Sequence, residues 1–158
     1  MTLLSVVSRF FREELGVVLI ETLLAIPFLT LLTFTILEFG NILWQREQLQ
    51  TGVKDAARYW ARCRPVDGNG AAFMPCSIDT ARAIAFTGLP SGGAPRVPGW
   101  DESSELTIVP GVPPGVPTSD DLVVVSGAVT YQGSPMLNAI FPDSFSMGYS
   151  FQTRYIGW

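Results

Sequence analysis

At 158 residues the chain has room for one domain and at most one appended segment. Hydrophobic residues make up 47 % and charged residues 15 %, against about 25 % charged in ordinary soluble domains, and the mean hydropathy is +0.31; a purely soluble, charge-coated protein is disfavoured. Ten Lys plus Arg against fourteen Asp plus Glu give a net charge of −4, which speaks against a nucleic-acid binder, and the lack of any His removes Ser-His-Asp and Cys-His catalysis, His-ligated zinc and the commonest general base.

From Val17 to Trp44 the chain reads VVLIETLLAIPFLTLLTFTILEFGNILW, with only Glu21 and Glu38 charged. About 20 apolar residues cross a hydrocarbon core of roughly 30 Å, so this segment spans a bilayer once and meets membrane lipid. A removable secretory signal has a shorter apolar region and an A-x-A-like cleavage site, neither of which is present, so the segment reads as a permanent anchor. Its orientation is contested. Arg9 and Arg12 precede it, while Arg46, Lys54, Arg58 and Arg62 follow, which by counting puts the C-terminal side in the cytoplasm. Against this, Cys63 and Cys76 are the only cysteines and enclose a short stretch containing Pro and Gly. Such a pair suggests a disulfide in an oxidising compartment; the alternative is two unrelated buried thiols.

Beyond Trp44 the sequence QREQLQTGVKDAARYWAR has no Pro and many helix formers. Ile42, Leu49, Val53, Ala56 and Trp60 form one stripe at 3.6 residues per turn, and Lys54, Arg58 and Arg62 lie nearly opposite. One helix is therefore expected from near Val17 to Arg62, about 70 Å long at 1.5 Å per residue. Pro27 removes one of its hydrogen bonds and should kink it or be compensated by neighbouring helices. The outer stripe reads as the face on which the C-terminal domain packs, with subunit contact as the alternative.

Ser77 is a candidate N-cap for a second helix, with Asp79 in its first turn, continuing through ARAIAF to Thr87 and stopping at Gly88. Residues 88–102 are rich in turns and have no usable period. Strands are predicted at Glu105–Val109, Leu122–Tyr131 and Phe145–Tyr155. The third alternates most clearly, with Phe145, Met147, Tyr149, Phe151 and Tyr155 on one face, as a half-buried antiparallel strand should. PGVPPGVPTSD (110–120) reads as a proline-stiffened loop, and GSPMLNAIFPD (133–143) as a connection with room for a helical turn. The fold class is α+β: a long transmembrane and amphipathic helix, then a small domain with a short helix and roughly three antiparallel strands.

No motif here points to a cofactor or metal. DGNGAAF lacks the glycine spacing and Lys of a phosphate loop. Asp101-Glu102 and Asp120-Asp121 match no calcium loop and read as solvated turn acids.

The start of the anchor combines a short polar leader, Gly16, four apolar residues, Glu21 and an unbroken apolar run. This resembles the processing site of type IV prepilins. The run from Glu21 through Pro27, Glu38-Phe39-Gly40 and a Gln-rich stretch to Ala56-Ala57-Arg58-Tyr59 resembles the TadE-like pseudopilins. The Cys pair, the ARAIAF helix, Val97-Pro98-Gly99 and VTYQGSPM are similar more loosely. Thr22 departs from the aromatic or Ala often found after the Glu, and the leader is nearly charge-balanced, with Glu13 and Glu14 beside Arg9 and Arg12.

The resemblance implies a pilin-like fold and a chain organised as leader 1–16, membrane half 17–44, exposed helical half 45–62 and outer domain 63–158. It implies cutting between Gly16 and Val17 by a prepilin peptidase, a cytoplasmic N-terminus, an inner-membrane location and a domain on the outer side. It further implies packing through Glu21, Pro27, Glu38, Phe39 and Gly40, with pilin or pseudopilin subunits and an inner-membrane assembly platform as partners. Glu21 and Glu38 are 17 residues apart, about 25 Å along a helix, so in lipid both can sit near interfaces. In a filament Glu21 would need a partner, such as the free amine of a neighbour's Val17. The expected function is that of a non-enzymatic minor pseudopilin or assembly subunit of a tight-adherence (Tad/Flp) pilus. The rival readings are an unprocessed envelope scaffold and an anchored periplasmic enzyme.

Overall fold

The computed structural model describes residues 14–67, 69–71, 76–113, 118, 120–135 and 145–157. In chain order the elements are α1 (Glu14–Ala61), α2 (Ile78–Thr87), a 3₁₀ turn (Ser103–Glu105), β1 (Leu106–Val109), β2 (Leu122–Thr130) and β3 (Ser146–Arg154). The chain is α+β, with a single antiparallel sheet in the order β1-β2-β3. It divides into two compact units, one ending at Gly40 and the other running from Asn41 to Trp158. Residues 1–13 of the expected leader, and residues 136–143 of the connection read as holding a helical turn, lie outside the described residues.

α1 begins at Glu14 rather than Val17 and ends one residue before Arg62. Glu14 and Leu15 are good helix formers and carry the pattern backwards. The helix runs on through Pro27 without interruption. α2 starts and stops where its caps dictate. Ser77 accepts hydrogen bonds from the amides of Asp79 and Thr80, and Gly88 takes φ = 81° while its amide donates to the Ile84 carbonyl. That left-handed conformation favours Gly because it carries no Cβ.

The strands pair as a meander. Leu106 faces Gly127 and Val109 faces Val124, while Leu122 faces Arg154 and Thr130 faces Ser146. Val123, Val125 and Val129 of β2, Leu106 and Ile108 of β1, and Met147 of β3 are buried, so one face of the sheet forms the core side. Leu49, Val53, Ala56 and Trp60 of α1 are buried in the same cluster, and Ile42 packs against it, so the stripe read from the sequence is the core face. Lys54, expected opposite that stripe, instead lies 5.4 Å from the centre of the Tyr149 ring, and Arg58 and Arg62 are exposed.

The turn-rich segment after α2 supplies what the periodic elements lack. Val97 and Trp100 are fully buried, and the Trp100 ring meets Phe86 edge-on with centroids 5.0 Å apart. It sits between two glycines. A Cβ added at Gly52 would fall 2.8 Å from the Trp100 ring and clash with the Ala85 carbonyl, and one at Gly127 would fall 3.1 Å from the same ring. The Arg96 guanidinium, bonded to Asp55 at 2.8 Å, ties this segment to α1.

The far end of α1 is closed by the end of the chain. The Ala61 carbonyl accepts from the amides of Ile156 and Gly157 (2.8 and 3.0 Å), and the Tyr155 hydroxyl donates to the Cys63 carbonyl (2.6 Å). These satisfy acceptors that a helix terminus leaves without intrahelical partners. Cys63 is bonded to Cys76, with Cα atoms 5.7 Å apart, joining the end of α1 to the approach to α2. Loss of such a bond from a small domain typically costs about 2–5 kcal/mol.

Gly52→Ala should lower the stability of the detergent-solubilised protein by about 1–3 kcal/mol, the usual cost of overpacking a tight core. Thermal unfolding checks this; an unchanged midpoint would mean that Trp100 has room to move aside.

Candidate functional site

Between Val17 and Leu37 no described side chain is buried. Leu23, Leu24, Phe28, Leu31 and Leu37 point in different directions around α1 and are all exposed. A helix apolar on every side needs lipid or other helices around it. Gly16–Ala61 is the one helix among the described residues that is long and apolar enough to cross a membrane.

The polar groups of this stretch are arranged for that setting. The hydroxyl of Thr22 donates to the carbonyls of Val18 and Leu19 (3.0 Å each), that of Thr33 to Leu29 (2.8 Å) and that of Thr35 to Leu31 (2.9 Å). Thr30 donates to the carbonyl of Pro27 itself (2.9 Å). Each hydroxyl is thereby satisfied within the helix, as a nonaqueous surrounding requires. Pro27 has no amide to offer the Leu23 carbonyl, so that acceptor lacks its usual helical donor.

The two carboxylates differ. Glu21 is exposed, and no ion pair involves it among the described residues. Glu38 is only 7 % exposed, although its spacing suggested a residue at the outer interface. The Glu-Phe-Gly run is thus split by the 100° step of the helix: Glu38 is buried, while Phe39 is 61 % exposed and Gly40 lies open. A Cβ added at Gly40 would meet nothing within 4 Å. Glycine costs a helix interior about 0.5–1 kcal/mol relative to Ala. No close approach within the described chain accounts for it.

Where α1 enters the second unit it carries a polar cluster that apolar patterning could not reveal. Gln45 is 1 % exposed; its Nε2 donates to Asn41 Oδ1 (3.4 Å) and to the Gln132 carbonyl (3.3 Å). Asn41 Nδ2 in turn donates to the Tyr131 hydroxyl (3.1 Å), whose ring stacks on Phe145. Gln45 Oε1 has no donor among the described residues. The nearest sequence signal was the Gln-rich run, which carries no period that separates buried from exposed amides.

Of the turn acids, Glu105 accepts from the amides of Asp101 and Glu102 (3.1 Å each), and Asp121 accepts from the Thr118 amide (2.7 Å). They hold turns. Among the described residues no group of three His, Cys, Asp or Glu side chains is placed to hold a metal ion.

Residues 16–58 match the family model described as TadE-like protein. The matched span takes in Gly16, Glu21, Pro27, Glu38, Phe39 and Gly40, and runs on through Gly52 and Val53 of the core stripe to Arg58. No curated protein and no solved structure matches the chain.

Gly40→Ala should leave the thermal midpoint of the solubilised protein unchanged or slightly higher, in contrast to Gly52→Ala. A fall in the midpoint would show that the chain's own packing holds Gly40.

Proposed function

We propose that this chain, TadE-like over residues 16–58 and so tied to the Tad pilus system, is a non-enzymatic, pilin-like subunit working as a minor pseudopilin or an assembly subunit. The observation that carries this reading is the state of α1 before Gly40. Its apolar side chains stand uncovered all round, its hydroxyls are satisfied internally, and Glu21 has no ion-pair partner within the described chain. A static anchor needs only the first two. The third is what a helix waiting for other helices would have.

On this reading the leader is cytoplasmic, Gly16–Val17 is the bond cut by a prepilin peptidase, and the second unit lies outside the inner membrane. The Cys63–Cys76 bond supports that side, since disulfides persist in oxidising compartments. In lipid the Glu21 carboxylate is tolerable near an interface. Once helices bundle and water is withdrawn, it must be protonated or matched by a cation, and the new amine of Val17 on a neighbouring subunit supplies one. Phe39 and Gly40 offer a close-packing face higher on the same helix. Other pilin-like subunits and the inner-membrane assembly platform are the partners, and adhesion is the process served.

Replacing Gly16 with a bulky residue should leave the full-length precursor in the membrane. Intact mass is the test, and it also separates a processed subunit beginning at Val17 from an unprocessed scaffold beginning at Met1. Glu21→Gln should insert and be cleaved normally, yet lose crosslinking to pilin partners in membranes, whereas substitution of Glu38 should have a milder effect. Wild-type crosslinking by Glu21→Gln would reduce the carboxylate to an interfacial residue.

A further inference from the structure

The outward face of α1 within the second unit is a ridge of cations. Arg58, and Arg62 just past the helix end, are exposed and lie nearly opposite the buried Leu49, Val53, Ala56 and Trp60, with the half-buried Lys54 one turn before them. The chain's own acids do little to neutralise it. Asp55 is bonded to Arg96 at 2.8 Å, which leaves Arg58 3.8 Å from the other oxygen of that carboxylate with its side chain 68 % exposed. Arg62 is exposed and makes no ion pair among the described residues. Lys54 rests over Tyr149. A ridge of this kind in a chain of net charge −4 implies acid concentrated elsewhere.

Part of that acid is on the turn before β1. Asp101 and Glu102 are exposed, and the turn's backbone is held by the Glu105 carboxylate, which accepts from both their amides. The turn follows directly on Trp100, whose ring is packed against Gly52, so its position on the domain is fixed by the core. The ridge and the turn are thus two surfaces of opposite charge on one compact unit.

We infer that the Lys54–Arg58–Arg62 ridge docks the Asp101–Glu102 turn of a second copy of this chain standing beside it. The inference rests on the pilin-like reading, which sets copies side by side with their α1 helices running the same way. Because ridge and turn are different patches, the contact is heterologous: each copy's turn sits on its neighbour's ridge while its own ridge stays open to the next. Repeated from copy to copy, such a contact extends a series or a ring rather than closing a two-fold pair.

The sequence provides the probe, since Lys54 is the only lysine. Isotope-labelled and unlabelled full-length chains are reconstituted together in phosphatidylcholine vesicles, where no anionic headgroup competes. They are treated with a carbodiimide, which joins amines to carboxylates without a spacer. Mixed-isotope peptides linking Lys54 to Asp101 or Glu102 are expected, with a several-fold lower yield in 1 M salt, where the screening length falls to about 3 Å. Arg58→Glu with Arg62→Glu should cut the yield at least fivefold. Adding Asp101→Lys and Glu102→Lys should restore joining through the reversed pair, which carries amines on the turn and carboxylates on the ridge. The Cys63–Cys76 bond and an unchanged melting midpoint serve as controls of folding. Absence of mixed links in the wild type, links undiminished by the ridge reversal, or no recovery in the fourfold variant overturns the contact. Co-purification with pilus components from cells separates the two levels. If it persists while the links are absent, only the copy-to-copy contact falls; if it fails, the pilin-like reading falls.

Discussion

The seat of Trp100 between Gly52 and Gly127 is the constraint on which the second unit depends. Gly52 belongs to α1, Gly127 to β2, and Trp100 to a segment with no regular structure of its own. A side chain at either glycine would occupy the space the indole fills, so helix, sheet and connecting segment reach their distances from one another through one ring. The same closeness lets α2 approach α1, with the Ala85 carbonyl directly over Gly52. Glycine in mid-helix and mid-strand is unfavourable locally. Here the full burial of the largest side chain type offsets that loss, since removing such a residue costs about 3–5 kcal/mol.

Much of the second unit was legible because its elements carry local signals. Ser77 and Gly88 mark both ends of α2 by hydrogen-bonding and conformational needs that hold in any context. The alternation from Phe145 to Tyr155 determines which side of β3 faces inward, and Met147, with Tyr149 and Phe151 packed against the core, follows it. The stripe from Ile42 to Trp60 is a packing face for the same reason. What escaped was set by contacts distant in sequence. Nothing near Trp100 announces burial; its surroundings read as turns, and turns they are. Gln45 is an amide among amides, distinguished only by Asn41, Tyr131 and Gln132 arriving around it. At the candidate site the periodic reading placed Glu21 and Glu38 alike, whereas only Glu21 is open; a helix repeat gives direction but not depth of burial.

α1 serves two solvents. Before Gly40 its apolar groups are uncovered, and each threonine hydroxyl folds back on a carbonyl three or four residues earlier. After Asn41 the same helix buries a stripe and sends its amide side chains to other elements. The first arrangement makes few demands on water; the second is an ordinary soluble core. A chain of 47 % apolar and 15 % charged residues is therefore two compositions joined by one helix, which is why the average looked like neither a soluble domain nor an integral membrane protein.

The closure at Ala61 bears on how such a helix carries load. Ile156 and Gly157 donate to its carbonyl, Tyr155 grips the carbonyl of Cys63, and Trp60 Nε1 donates to the Pro110 carbonyl at 2.7 Å. The Cys63–Cys76 bond adds a covalent tie at the same place. The far end of α1 is thus held by the end of the chain, by the segment after β1 and by the approach to α2. Sliding the helix along its axis would break these bonds together and drag Gly52 past Trp100, where any residue with a side chain collides. Tension on the apolar part of α1 would meet that combined resistance before the core stripe could be exposed.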